Sequence, residues 1–391
     1  MRIAQYTFWA CLLLIGQTYF FYPVVLFILY SLSQIRRDFR YLAGRRNRRT
    51  SRLPPSQLPT VTVIIPAFDE QACLPRKIVN LRQIKYPPEK LEIIIVSDGS
   101  TDRTNEILGS VVEPGMRAIL LPNRKGKANA LNVAVSQAQH EILVFSDAST
   151  VFATDAVGNL TRHFSNPRIG VVCGALEFER TSESQQTEGI YWKYESMLRL
   201  MEARLGATLT ASGAIFALRR SAYRPLLPST VIEDFVIPMN ARDAGYEVHY
   251  DPEAIATDIA ASSVSGEFTR RVRLAMGSFR ALNGLLQSSL SGFAWLAFIS
   301  HKLLRWLLPF FLLSLLISSA FLLDGFVYRT VFLGQLLFLA WGCVGFVFRN
   351  HMRGVRFALM GYFLLAMNVA FLVGFFRFLL SREEGIWQRV S

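Results

Sequence analysis

Three apolar, β-branched runs each lead into a carboxylate, and this pattern restricts the fold more than any other feature of the chain. Val61-Thr-Val-Ile-Ile65 leads through Pro66 to Asp69 and Glu70, and Leu91-Glu-Ile-Ile-Ile-Val96 leads to Asp98. Glu141-Ile-Leu-Val-Phe145 leads through Ser146 to Asp147, Ala148 and Ser149. Short runs of this composition read as buried strands. Helical stretches lie between and after them, around Leu74–Arg82, Arg103–Leu108 and from Gly126 onward. The alternation predicts an α/β domain with a mostly parallel sheet of Rossmann type. In such a sheet the carboxyl ends of neighbouring strands line one crevice, where ligands bind. Acids delivered there suit a cation, or the hydroxyl and N–H groups of a nucleotide.

Further strands are expected at Ala118–Leu121, Gly170–Phe178 and Ala214–Leu218, with helices at Tyr191–Arg204 and from Glu233 to about Asp243. Of the 391 residues, 51% are hydrophobic and 18% charged, too apolar for a wholly soluble protein and too charged for one embedded throughout. Four apolar runs account for the excess: Phe8–Leu32, Leu303–Leu323, Val331–Phe348 and Phe357–Leu380. The first is too long for a cleaved signal, despite the small residues at Ser31 and Ser33, and the arginines after it read as stop-transfer. Arg36, Arg37, Arg40, Arg45, Arg46, Arg48 and Arg49 place that side in the cytosol and the amino end outside. Lacking a recognition motif or aromatic platform, this basic stretch points to anionic lipid headgroups and away from nucleic acid. The expected division is an anchor over 1–35, a basic, Pro-containing linker over 36–59, an α/β domain over 60–286 and a membrane region of about three helices over 287–391. The α/β domain ends in a basic amphipathic helix, Phe268–Leu286, suited to a membrane surface. Cys11, Cys73, Cys173 and Cys343 have no metal-ligand spacing and read as buried thiols in a reducing compartment.

Five segments carry chemistry: Pro66-Ala-Phe-Asp-Glu70, Ser97-Asp-Gly-Ser-Thr-Asp102, Gly126-Lys-Ala-Asn-Ala-Leu-Asn132, Asp147-Ala-Ser149 and Ile232-Glu-Asp234. Glu70 and Asp98 can accept hydrogen bonds from a nucleobase and a ribose, whereas Asp102 reads as a helix cap. Lys127 stands at a helix start, where it can meet diphosphate oxygens beside backbone N–H groups. Asn129 and Asn132 read as capping or packing residues. A carboxylate such as Asp234 can take a proton from an acceptor hydroxyl; the plain alternative is an acid in a first helical turn.

In this order the segments resemble those of family-two membrane glycosyltransferases with a GT-A nucleotide-sugar fold, the group of cellulose, hyaluronan and poly-N-acetylglucosamine synthases. The resemblance covers about Pro59 to Leu286. It implies an inverting transfer of a sugar from a nucleotide donor, UDP-linked, to a saccharide or lipid-linked acceptor in surface glycan synthesis. It places the protein in a membrane of the bacterial inner-membrane kind, with the catalytic domain cytosolic. It assigns Asp234 as base with Glu233 beside it, and Glu70, Asp98, Lys127, Asp147 and Arg273 to the nucleotide sugar. Asp147 falls where the family has Asp-x-Asp and would hold Mg²⁺ or Mn²⁺; Ser149 replaces the second acid and can bind only weakly or through water.

The acceptor side departs further. Where processive members have Gln-x-x-Arg-Trp, this chain has Arg270-Arg271-Val272-Arg273-Leu274, without an aromatic platform under the acceptor sugar. Transfer of a single sugar to a polyprenyl phosphate or lipid is the alternative within the enzyme class. A non-catalytic nucleotide-sensing membrane protein is the alternative outside it, and the retained Asp234 argues against that. A transporter is disfavoured because the apolar runs carry few charges. Trp387 and Arg389 resemble a tail that lies by the active site in related enzymes. Reaching the cytosol would require Phe357–Leu380 to be partly re-entrant, broken at Asn368.

Overall fold

The computed structural model describes residues 1–43, 54–111, 113–178, 186–258, 264–286, 288, 290, 292–348 and 356–380. One sheet of eight strands organises the centre: β1 (Val61–Ala67), β2 (Leu91–Asp98), β3 (Met116–Leu121), β4 (Ile142–Phe145), β5 (Val151–Phe152), β6 (Ile169–Phe178), β7 (Phe216–Arg219) and β8 (Glu247–Asp258). Their order across the sheet is β3-β2-β1-β4-β7-β6-β8-β5. β1 pairs in parallel with β2 and β4, Val61 lying opposite Leu91 on one side and Ile142 on the other. The three acid-bearing strands are therefore neighbours, as the sequence predicts.

Beyond β4 antiparallel pairs join the parallel ones, of which β6–β8 is a further example. β7 runs antiparallel to both β4 and β6, and β5 runs antiparallel to β8, so the sheet is mixed. β5 and β8 were not anticipated at all.

Two helices precede the sheet, α1 (Arg2–Gly16) and α2 (Tyr22–Leu42), joined by a π-helical turn at Gln17–Phe21. Along the domain follow α3 (Leu74–Arg82), α4 (Thr104–Gly109), α5 (Lys127–Gln137), α6 (Ala156–Thr161), α7 (Gln186–Arg204), α8 (Glu233–Asp243) and α9 (Val264–Leu286). Strand alternation sorts the core into two layers. Val61, Val63 and Ile65 pack with Leu74, Ile78 and Leu81 of α3, while Ile64 packs with Leu131 and Val135 of α5.

The chain closes with α10 (Gly292–Ala297), a π-helical turn at Phe298–Leu303, α11 (Leu304–Ala320), α12 (Phe326–Val347) and α13 (Arg356–Leu380). Four helical segments are long and apolar enough to cross a membrane: Arg2–Arg40, Gly292–Ala320, Phe326–Val347 and Leu359–Leu380. The protein is an integral membrane protein, and these four candidates are those found among the described residues. α13 is continuous through Asn368, whose Nδ2 donates to Leu364 O at 2.8 Å, so the re-entrant break is not found. Trp387, Arg389 and the arginines at 45–49 lie outside the described residues.

The two π-helical turns meet where the domain sits on the membrane helices. Gln17 Nε2 donates to Ser300 Oγ at 3.0 Å, and Tyr22 Oη donates to Glu202 Oε1 at 2.6 Å. His301 bridges Glu202 (2.6 Å) and Glu195 (3.2 Å), and Arg305 pairs with Glu195 at 2.7 Å. α9 packs on α13, where a Cβ on Gly374 would lie 2.5 Å from Ala275 Cβ. Removing one member of a buried ionic network strands its partners, at about 3–5 kcal/mol. Glu195→Ala is therefore expected to lower the unfolding temperature in detergent clearly. Glu106→Ala, which deletes the exposed Arg103 pair, is expected to leave it unchanged.

Candidate active site

The site is assembled at the carboxyl end of β4. There the chain turns through Ser146-Asp147-Ala148-Ser149-Thr150 into β5. A buried lysine pins the turn: Lys77 Nζ donates to Ser146 Oγ at 2.6 Å and to Thr150 O at 2.8 Å, with the residue 1% exposed. Burial pushes the Lys77 pKa down to about 7, against the pull of Asp147 and Asp258. Asp258 belongs here because β8 runs beside β5, and Ser149 Oγ donates to Asp258 Oδ2 at 3.3 Å.

α5 begins at Lys127, after Gly126 at φ 96°. Lys127 Nζ reaches Asp147 Oδ1 at 2.7 Å and also pairs with Glu233 Oε1, at the start of α8. Asp234 follows, its carbonyl accepting from Ala211 N–H at 2.8 Å. A Cβ built on Gly213 would find Asp147 Oδ2 at 3.6 Å, Asp234 Cβ at 3.8 Å and Lys127 Nζ at 3.9 Å. Three functional side chains therefore ring one small cradle.

Electrostatics follow from this packing. Burial works to lower the Lys127 pKa, but Asp147 and Glu233 raise it above the ordinary lysine value. Burial works to raise that of Asp147, yet Lys127, helped by Arg270 and Lys77, holds it below the usual carboxylate range. Asp234 is pushed up to about 6 by burial, with Glu233 adding to the effect and Lys127 and Arg199 opposing it. On α9, burial lowers the Arg273 pKa while the charges of Glu233, Asp147 and Asp234 counter it. Arg270 also pairs with Glu267 at 3.4 Å. Leu274 packs into the apolar cluster around Trp306 and Phe298.

The strand ends of β1 and β2 form the other half of the crevice. Asp98 is 1% exposed, and its two oxygens accept Lys125 N–H (2.9 Å) and Gly126 N–H (2.7 Å). It thereby fixes the loop that opens α5. Glu70 is buried, accepts Cys73 Sγ–H at 2.9 Å on Oε2, and donates its own N–H to Thr104 Oγ1 at 2.8 Å. Asp102 caps as expected, its Oδ1 accepting Thr104 N–H at 2.9 Å. Asn132 is structural, binding Leu226 and Tyr223.

Sequence reasoning missed four residues here: Lys77, Gly213, Arg124 and Asp258. The Arg124 guanidinium lies 3.8 Å from the Phe68 ring centroid, and its buried Nε and Nη2 have no hydrogen-bond partner among the described residues. Only Lys77 left a signal, since it shares the inward stripe of α3 with Leu74, Ile78 and Leu81, where a lysine is out of place.

The donor set is oxygen-rich and thin. Among the described residues no three His, Cys, Asp or Glu side chains are grouped to hold a metal. Asp147 Oδ2 at the Gly213 cradle is nevertheless an oxygen donor that would fit a hard ion taking its remaining ligands from a diphosphate and water.

Gly99 keeps the crevice open. Its φ is 66°, and a Cβ there would fall 2.5 Å from Arg124 N. Gly99→Ala is expected to cost about 1–3 kcal/mol from backbone strain plus the collision, read as a lowered unfolding temperature. Gly245→Ala, at φ 87° with open space around it, bears the strain alone and should fall less.

Comparisons with known proteins bear on the family and the fold. Residues 62–227 match the family model described as glycosyl transferase family 2. Poly-beta-1,6-N-acetyl-D-glucosamine synthase of Staphylococcus aureus is 26% identical over 275 residues, covering 67% of this chain and 65% of that protein. An N-acetylglucosaminyltransferase of Sinorhizobium fredii is 30% identical over 245 residues, 57% of this chain and 58% of that one. The chain thus spans somewhat less than two thirds of the length of these curated relatives. Among solved structures, mannosyltransferase PcManGT from Pyrobaculum calidifontis, in complex with GDP-Man and Mn2+, superimposes with a TM-score of 0.66 at 19% identity. That match covers 92% of this chain and 98% of that one, so the shared fold extends to the flanking helices.

Proposed function

We propose that this chain is a membrane glycosyltransferase of the family 2 kind, which transfers a sugar with inversion from a nucleotide donor to a saccharide or lipid-linked acceptor at the cytosolic face. The observation that carries this reading is the ring of Lys127, Asp147 and Asp234 around Gly213, with Glu233 paired to Lys127. Cations face the place a diphosphate needs, and a poised carboxylate stands across from them.

The roles follow from the charges. Lys127 and Arg273 hold the diphosphate and take up its charge as it leaves. Asp234 accepts the proton of the acceptor hydroxyl. The new bond forms from that oxygen to the anomeric carbon, and the bond to the diphosphate oxygen breaks with its electron pair on the other face. Glu233 keeps Lys127 in place and raises the basicity of Asp234. A hard divalent ion of the Mg²⁺ or Mn²⁺ class, held at Asp147, would neutralise diphosphate charge. Glu70, Asp98 and Arg124 line the nucleobase and ribose end, Arg124 preceding the Lys125–Gly126 segment that Asp98 holds.

UDP-N-acetylglucosamine is the favoured donor, because the sequence relatives are named for N-acetyl-D-glucosamine. The GDP-Man bound by the structural neighbour makes a guanine nucleotide the comparison to run. For the acceptor, a cavity of about 400 Å³ between α8 and α9, lined by Ile232, Val236, Arg280 and Leu285, offers an approach from the membrane surface. Its lining mixes apolar side chains with Arg224, Asn240, Asp243 and Arg280, which suits a lipid-linked acceptor with a charged head.

The test is nucleotide release by the full-length protein in detergent, with UDP-N-acetylglucosamine, GDP-mannose and host lipids. Asp234→Asn is expected to lose about 10²–10⁴-fold in turnover while still binding nucleotide; unchanged turnover removes Asp234 from the mechanism. A base must be unprotonated, so kcat/KM should fall as pH drops through about 6. Lys127 lowers the Asp234 pKa and Glu233 raises it, so Lys127→Met should move this acid limb to higher pH and Glu233→Gln to lower pH.

A further inference from the structure

The local motif lacks its second acid, yet the fold brings one back from 109 residues away. β5 and β8 are paired with Val151 opposite Thr257 and Phe152 opposite Ala256, a register that sets Asp258 beside the turn containing Ser149. Ser149 Oγ donates to Asp258 Oδ2 at 3.3 Å, so the residue standing in the second acid's position touches the distant one. Lys77, buried beneath the turn, holds Ser146 Oγ at 2.6 Å and Thr150 O at 2.8 Å, which fixes the turn carrying Asp147 and Ser149 where β5 meets the end of β8. We propose that Asp258 supplies the second carboxylate of the divalent-cation site, in place of the acid absent at Ser149.

This rests on the reading of Asp147 as the residue that holds a metal against the donor diphosphate. Two carboxylates from different strands, with the diphosphate and water completing the shell, form a sufficient set for Mg²⁺ or Mn²⁺. Ser149 orients Asp258 and need not touch the ion. Sequence alone hides the arrangement, because Asp258 follows an unpredicted strand and no motif spans the gap.

Mn²⁺ binding tests it without recourse to turnover. Free Mn²⁺ is titrated into full-length protein in detergent with saturating UDP and followed by electron paramagnetic resonance, while UDP affinity is measured separately without metal. Losing even a group that only orients a metal ligand usually costs about 10- to 100-fold in affinity, and a ligand itself no less. Asp258→Asn is therefore expected to weaken Mn²⁺ about tenfold or more, with metal-free UDP binding unchanged. Ser149→Asp in the same background should restore it, which also shows that the variant folds. Ser149→Ala, which breaks the hydrogen bond but leaves both acids, should retain most of the affinity. Wild-type Mn²⁺ affinity in Asp258→Asn overturns the proposal, as does an equal loss in Ser149→Ala without rescue by Ser149→Asp. Absence of UDP binding in the unmodified protein would instead overturn the transferase reading on which the proposal stands.

Discussion

A buried ammonium group needs fixed counter-charges, and Lys127 finds them in Asp147 and Glu233. That requirement draws together the start of α5, the turn after β4 and the start of α8, segments separated by up to about a hundred residues. The same cation restrains the Asp234 pKa near 6 when burial and Glu233 would carry it higher. Charge balance and catalytic readiness are therefore one arrangement, set before any substrate arrives. In the proposed reaction a diphosphate entering the cradle would compete for a cation already held there, and fixed dipoles and charges of this kind need little reorganisation during reaction.

Much of this was legible in the chain. Strands β1, β2 and β4 declare themselves by β-branched runs, and their acids fall where an α/β sheet collects ligands. Motif order then located Lys127, Asp147, Glu233 and Asp234, which the structure brings together. Asp98 has a task that motif order did not reveal: its oxygens hold Lys125 and Gly126 N–H.

β8 was invisible for a different reason. It carries Glu247, His249, Asp251 and Glu253, with Pro252 inside the run, a composition that argues against a strand. The structure accommodates Pro252 where the pairing with β6 shifts between Cys173 and Ala175. Asp258 could not be placed without that strand. Arg124 was equally hidden, since its stacking on Phe68 depends on two loops that touch only in three dimensions. At the membrane side, apolar length predicted the spans, but not the π-helical turns or the Glu195–Glu202–His301 network that seats the domain on them. Such networks depend on tertiary register, which composition does not encode.

The central claim is that one sugar-diphosphate pocket lies between Lys127, Arg273 and Asp147 on one side and Asp234 on the other. A structure of the full-length protein with a non-transferable UDP-sugar analogue and Mn²⁺ tests it most directly. The account predicts the diphosphate against Lys127 and Arg273 and the anomeric carbon turned toward Asp234. A nucleotide sugar bound elsewhere on the domain, with the Lys127–Asp147–Glu233 contacts undisturbed, would contradict it.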